Sequence, residues 1–383
     1  MKERPAPRRE KEADWLEALL RIPTVPFREE RVVEWIERLA DARGWRRRRD
    51  GAGNIRLDHG PGRPDWFFVA HMDHPGFVAV SQRGRSIAAQ FRGSVHDEFF
   101  PGARVCFFTP QGEVRARVRS VAPDPRSPFR LCRLERLSGG AVPPDSVGMW
   151  DFPAVRRRGR TIAARGCDDT AGVAAALYAF DRAGGERHAA RKVAVLLTRG
   201  EEAGFAGALW AAAHGTIPRR TSVVSIEASK THAEAPLGGG AVIRVGDRRS
   251  VFDPGLTAQL WSAAEMVASS SDRRFRRQLM AGGTCEATVF QAFGYRAAAV
   301  CLPLGAYHNM GEKGRLAPEW IHLDDFDGLV DLLAEIVRHP PRPRHDPAER
   351  RAYERLLRSR RKYLLDGDPS RRRVAPTARR SAG

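Results

Sequence analysis

The segment Trp66-Phe-Phe-Val-Ala-His-Met-Asp73 is a run of five apolar residues that ends in a histidine and an acid. Such a run is too short for a typical helix and fits a strand buried on both faces of a parallel sheet. The same arrangement recurs downstream. Val193 to Leu197 leads to Glu201 and Glu202, Ser222 to Ile226 to Glu227, and Ala297 to Leu302 to His308. Asp168 and Asp169 stand just before a helical pattern from Thr170 to Arg182. Five groups of ligand-type side chains therefore fall at the carboxyl ends of predicted strands or at a helix N-terminus. In an open α/β sheet that edge is where ligands bind.

Further helices are expected over Phe205 to His214, Gly255 to Ala268 and Asp324 to Arg338, and two amphipathic ones between Glu12 and Arg43, broken at Ile22-Pro-Thr-Val-Pro26. Residues 79–160 read differently. Alternating segments such as Val105 to Thr109 and Val114 to Val118, turn signals at Pro110-Gln-Gly112 and Ser138-Gly-Gly140, and no helix-length pattern predict a small β domain inserted into the α/β domain. The expected fold class is α/β: a mixed, mostly parallel sheet flanked by helices, formed by residues 12–78 and 161–338, with the insert between them. Residues 339–383 read as a basic linker, a helix opened by Asp346, Pro347 and Glu349, and, from about Ser370, a disordered tail.

The 383 residues carry 65 Lys plus Arg against 46 Asp plus Glu, a formal net charge of +19 that invites a nucleic-acid reading. Location argues otherwise. Residues 341–383 hold 14 basic and 5 acidic residues, the insert 15 and 7, and the remaining core 36 and 34, so the core is close to neutral. Only six of the cations are lysines, which points to coding bias toward Arg. Nucleic acid or another polyanion is expected, if anywhere, at the basic tail, and is not the favoured partner. Five cysteines without C-x-x-C spacing argue against a disulfide framework or a cysteine zinc knuckle and for a reduced compartment. With no apolar leader and no stretch near the ~20 residues of a membrane span, a cytoplasmic location without membrane contact is expected.

Two histidines and several carboxylates, without cysteine, suit Zn, Co or Mn with an open coordination position. A carboxylate can bridge two such ions, and the pair can activate a water and polarise a carbonyl. If the strand continued through Glu201 and Glu202, they would point to opposite sides, one free to ligate and the other to act as a base.

Taken in order, A-H-M-D-H-P-G (Ala70 to Gly76), G-C-D-D-T-A-G (Gly166 to Gly172), R-G-E-E-A-G (Arg199 to Gly204), S-I-E-A-S (Ser225 to Ser229) and Y-H-N (Tyr307 to Asn309) resemble the co-catalytic di-metal exopeptidases. Within that zinc exopeptidase clan the chain is most similar to the TET-type aminopeptidases, the glutamyl and deblocking enzymes. The resemblance spans roughly Glu12 to Arg338. The 95-residue interval from Asp73 to Asp168 holds the predicted insert, as in the TET type, while the 81 residues from Glu227 to His308 leave little room for the lid of the carboxypeptidase, dipeptidase and deacylase branch.

The resemblance implies two divalent ions per subunit, Zn with Co or Mn as alternatives, and hydrolysis of the N-terminal peptide bond of peptides through a metal-bridged hydroxide. His71 and Glu227 would hold one ion, Glu202 and His308 the other, and Asp168 would bridge. Glu201 would be the general base, and Asp73 would accept the other ring N–H of His71. It also implies a homo-oligomer. The chain departs from the family pattern at His74, where an acid is usual, at Glu227 in place of Asp, at Thr170 in place of Arg, and at Gly305-Ala-Tyr-His-Asn309. These changes bear on substrate preference and assembly more than on metal chemistry. Glu286, in Gly282-Gly-Thr-Cys-Glu286, is a candidate for a substrate ammonium, and His74 and His232 for pocket donors. Cys167 reads as a small buried residue and the arginines at 46–49 and 156–158 as solvated surface. A deacylase or dipeptidase of the same clan, and a catalytically degenerate nucleic-acid-binding protein, are the competing functional readings.

Overall fold

The computed structural model describes residues 9–186, 189, 192–342 and 347–366. After helices α1 (Arg9–Leu20) and α2 (Glu30–Arg43), strands β1 (Arg46–Arg49), β2 (Ile55–Asp58) and β3 (Trp66–His71) enter the central sheet. The chain then leaves it for β4 (Gly76–Arg83), β5 (Ser86–Arg92), β6 (Arg104–Thr109), β7 (Gly112–Pro123), β8 (Arg130–Ser138) and β9 (Val147–Trp150). It returns through β10 (Val155–Arg158), β11 (Thr161–Ala164), α3 (Thr170–Gly184), β12 (Val193–Thr198), α4 (Ala206–His214), β13 (Ser222–Lys230) and β14 (Ala241–Gly246). The remaining elements are α5 (Pro254–Ser269), β15 (Phe275–Leu279), α6 (Glu286–Ala292), β16 (Arg296–Leu304), β17 (Glu319–His322), α7 (Leu323–Ile336) and α8 (Pro347–Asp366).

Eight strands form the central sheet in the order β1-β2-β12-β3-β13-β16-β14-β15. Its middle four, β12, β3, β13 and β16, are mutually parallel, while β2 and β14 run antiparallel to their inner neighbours. The sheet is thus the mixed, mostly parallel one expected. All six residues of β3 and all six of β12 are buried, because helices cover both faces. On one face Phe68, Ala70, Val195 and Leu197 pack in a core with residues of α1, α2, α3 and α7. On the other, Phe67, Val69, Ala194 and Leu196 pack with Ala208, Ala211, Val289 and Phe290 of α4 and α6. The run Thr170 to Phe180 in α3 is buried throughout. Its alanines let the helix lie close to the sheet while α1 and α7 cover its outer side.

Strands β4 to β9 close into a six-stranded antiparallel barrel in the order β4-β5-β8-β7-β6-β9. Its interior is aromatic: Phe77 meets Trp150 and Phe91 edge-on at centroid distances of 4.9 and 5.0 Å, and Phe91 meets Phe100 at 4.8 Å. Strand β10 pairs with β11, and β11 with β17, in a separate three-stranded sheet. Helix α8 opens at Pro347 and belongs to a unit of its own, residues 342–383. The expected cap at Asp346 and the tail from Ser370 lie outside the described residues. No helix among the described residues is long and apolar enough to cross a membrane.

Candidate metal centre

The parallel register aligns the ends of the central strands. Thr198 at the end of β12 lies beside His71 at the end of β3, and Glu227 lies opposite Cys301 in the β13–β16 pair. His308 follows β16 in a short turn where Ala306, His308 and Asn309 all have positive φ. Asp168 precedes α3, whose N-terminus is capped by the Asp169 carboxylate accepting from Gly172 N. One edge of the sheet thus collects ligand-type side chains from five separate segments, the fifth being the Glu201–Glu202 loop after β12.

Asp168 is the centre of the cluster. Its Oδ1 lies 3.4 Å from His71 Nε2, and its Oδ2 lies 3.6 Å from His308 Nε2. Each histidine also faces a glutamate: His71 Nε2 is 3.8 Å from Glu227 Oε2, and His308 Nε2 is 2.8 Å from Glu202 Oε1. Two triads result, His71–Asp168–Glu227 and His308–Asp168–Glu202, each with ligand atoms within 4.8 Å of one another. Glu201 joins His71 and Glu202 in a third such group.

The ring nitrogens show what the triads fit. His71 Nδ1 lies 3.1 Å from the Asp73 carbonyl and His308 Nδ1 lies 2.7 Å from the Ser94 carbonyl. A carbonyl only accepts, so each Nδ1 carries the hydrogen and each neutral ring turns an Nε2 lone pair toward carboxylate oxygens. Lone pairs facing anions repel unless a cation sits between them. Asp168 Oδ1 and His308 Nε2 are buried without a hydrogen bond, as atoms that converge on an ion are. Without a metal, protons take that place: burial works to lower the pKa of His71, but Glu201, Asp168 and Asp73 outweigh it and hold the ring well above its ordinary value. Glu202 and Asp168 likewise outweigh burial at His308. Burial pushes Glu227 up to about 7, and it raises Glu201 well above the carboxylate range.

The loop that carries Glu201 and Glu202 is fixed by its main chain. Four successive amide N–H groups are held: Arg199 N donates to Asn54 Oδ1 at 3.0 Å, Gly200 N to Glu29 Oε1 at 3.0 Å, and Glu201 N and Glu202 N to Asp73 Oδ1 and Oδ2, each at 3.0 Å. The fully buried Glu29 also binds Arg199 Nε at 2.7 Å. Two expectations gain atomic detail here. The carboxylate of Asp73 grips the Glu201–Glu202 backbone, and it is the carbonyl of Asp73 that hydrogen-bonds the His71 ring; Asp73 Oδ1 lies farther off, 3.7 Å from His71 Nδ1. Strand β12 stops at Thr198, so Glu201 and Glu202 follow a turn with Gly200 at φ +62° and do not alternate across the sheet; their carboxylates join His71 in one group.

Sequence reasoning missed Glu319. This fully buried residue at the start of β17 accepts from Cys167 N at 2.6 Å and Asp168 N at 3.0 Å through Oε2, and from His308 N at 2.7 Å through Oε1. It ties two of the cluster residues together, 151 and 11 positions away in sequence. No local motif marks it. His74 is not a free pocket donor, because its Nδ1 bonds the Asp168 carbonyl at 2.7 Å and its Nε2 lies 3.1 Å from Asn309 Oδ1. Gly166 makes room for that ring, since a Cβ there would come within 2.6 Å of it. His232 is engaged by Glu234 and Met280. Glu286 is fully buried with no hydrogen bond to either oxygen, and burial lifts it to about 8. Cys167 is buried, as expected, and burial raises its thiol well above the usual range.

Residues 138–332, about half of the chain, match the M42 glutamyl aminopeptidase family. The match takes in Asp168, Glu201, Glu202, Glu227 and His308 and stops short of His71 and Asp73. No curated protein matches the sequence. Among solved structures, the TET1 peptidase of Pyrococcus horikoshii is similar at 23% identity and TM-score 0.69, over 85% of this chain and 99% of that one. A TET aminopeptidase from a marine-sediment Thaumarchaeota archaeon is similar at 17% identity and TM-score 0.71, over 87% and 97%. An endoglucanase structure from Thermotoga maritima is similar at 15% identity and TM-score 0.57, over 85% and 98%. These likenesses establish the shared fold.

Proposed function

The chain belongs to the M42 glutamyl aminopeptidase family of metal-dependent peptidases, and on that basis we propose that it removes N-terminal residues from peptides at a centre for two divalent ions. The observation that carries this reading is Asp168, whose two oxygens face two histidines, each with its own glutamate. In this reading His71 and Glu227 hold one ion, His308 and Glu202 the other, and Asp168 serves both. Zn fits the mixed imidazole and carboxylate donors, with Co or Mn as alternatives. Such a pair supplies a water of lowered pKa and polarises the scissile carbonyl.

The remaining work falls to the protein. Glu201 lies in one group with His71 and Glu202, and its main chain is held by Asp73, so its carboxylate would stand beside a water that such ions supply. It takes the proton from that water as the carbonyl is attacked and returns it to the leaving amine. Asp73 positions Glu201 and Glu202 through their amides. The Asp73 and Ser94 carbonyls hold the two rings in the tautomer that presents Nε2.

The substrate assignment separates this reading from a deacylase or dipeptidase of the same clan. The segment between Glu227 and His308 contributes β14, α5, β15, α6 and β16 to the catalytic domain and forms no separate lid domain among the described residues. The endoglucanase likeness extends to fold alone. Glycoside hydrolysis needs two carboxyl groups about 5 to 10 Å apart across a sugar linkage, whereas these carboxylates converge on shared histidines. The Pyrococcus horikoshii TET1 peptidase assembles into a tetrahedron or an octahedral shell; by analogy we assign this chain a homo-oligomer of unspecified size. Nucleic acid is not favoured. The deciding experiment assays the full chain, stripped and reloaded with Zn, Co or Mn, on aminoacyl anilides and on N-acyl amino acids. Turnover of the first only is expected, and turnover of the second only would replace aminopeptidase by deacylase.

A further inference from the structure

A second site lies where the barrel meets the segment leading into α3. Arg104, Cys106 and Glu113 of the barrel, with Arg115, Asp151 and Arg165, line a cleft of about 380 Å³. Its charges do not balance. Asp151 pairs with Arg104 at 3.3 Å and with Arg115 at 3.4 Å, and Glu113 pairs with Arg115 at 3.4 Å. The third guanidinium, Arg165, is the most enclosed at 7% exposure, and no carboxylate lies within 4 Å of it among the described residues. Its contacts are the Arg21 carbonyl, 3.3 Å from Nη2, and the face of Phe108, 4.5 Å below Cζ. A carbonyl and a ring face offer partial charge only, while a guanidinium presents five donors in a fork matched to an oxyanion.

We propose that this cleft binds a small oxyanion, a carboxylate or a tetrahedral phosphate- or sulfate-like group, through Arg165 with Arg104 and Arg115 at the rim. The site is separate from the metal centre, for its lining shares no residue with the ligand-type clusters. It is nevertheless tied to that centre through the chain. Arg165 stands three residues before Asp168, and its carbonyl accepts from Asn309 Nδ2 at 2.9 Å, next to His308. The neighbouring Cys106 is no competitor for the anion as a reactive group, since burial pushes its thiol up to about 12.

The test is a thermal-shift titration of the metal-loaded full chain with sodium acetate, sulfate or phosphate against chloride at fixed ionic strength, on wild type, Arg165→Met and Arg165→Lys. Saturable stabilisation by at least one of the three anions is expected for wild type. In Arg165→Met the apparent affinity should fall at least tenfold, and Arg165→Lys should recover only part of that loss, because the charge returns without the fork. The response to acetate against sulfate and phosphate tells a carboxylate site from a tetrahedral one. Binding of phosphate at the metal centre would persist in Arg165→Met. Stabilisation that survives in that variant unchanged, or a wild type that responds to no anion beyond chloride, overturns the proposal; should the Met variant not fold, an Arg165→Lys response equal to wild type overturns it as well.

Discussion

Replacing Glu319 by Gln is the sharpest probe of how the centre is held. The carboxylate accepts three buried main-chain N–H groups at 2.6, 3.0 and 2.7 Å, from Cys167, Asp168 and His308. Gln keeps one acceptor oxygen, and its NH2 must then face either the His308 amide or the Cys167 and Asp168 pair. If the oxygen stays on His308, two charge-assisted bonds are lost, at about 1.5–3 kcal/mol each. Relaxation offsets part of that total, so a loss of roughly 3 kcal/mol of stability is expected. The larger signal is at the metals. Asp168 is the residue shared by both triads, and disturbing a supporting bond to a metal ligand typically costs 10–100-fold in affinity or activity. Competition against a graded chelator, read by metal analysis, should show both ions weakened at least tenfold in Glu319→Gln. Wild-type retention of both, within threefold, in a folded variant would refute the view that Glu319 places Asp168 and His308.

Glu201→Gln should keep its metal content and lose turnover by ~10²–10⁴-fold; near-normal turnover would remove Glu201 from the role of base. Chelation should abolish activity and readdition of Zn, Co or Mn should restore it, with restored rates compared ion by ion; activity that persists in a verified metal-free sample would end the metal reading. Truncation after Pro341 should leave turnover within about twofold, because every proposed site residue lies in the unit 1–341. A large drop in kcat for that variant would assign the basic segment a part in catalysis. Asp73→Asn should cost activity mainly through the Glu201–Glu202 loop, since an amide cannot accept from both N–H groups. The ratio of its effects on kcat and on metal content tests that route, and loss of metal alone with normal kcat in the loaded enzyme would contradict it.

The sheet and its ligand-bearing edge are legible in the apolar runs and the residues that follow them. The apolar runs at Trp66, Val193, Ser222 and Ala297 are strands because a parallel sheet covered on both faces needs continuous apolar stretches. With those strands parallel, His71, Glu201, Glu202, Glu227 and His308 had to arrive at one edge, and the order of the motifs carried the family. How that edge is made rigid depends on contacts between segments distant in sequence. Asp73 was legible as an acid near His71, but which atoms it holds depends on the turn after Thr198. Glu319 and Glu29 carry no motif, because a carboxylate that binds main-chain amides recognises backbone, which has no sequence signature. His74 looked available until Asn309 and the Asp168 carbonyl were seen to hold both its nitrogens. The unpaired charge of Arg165 likewise exists only in three dimensions: whether an arginine has a counter-ion is settled by neighbours distant in sequence, and in a chain with 59 arginines nothing local marks this one.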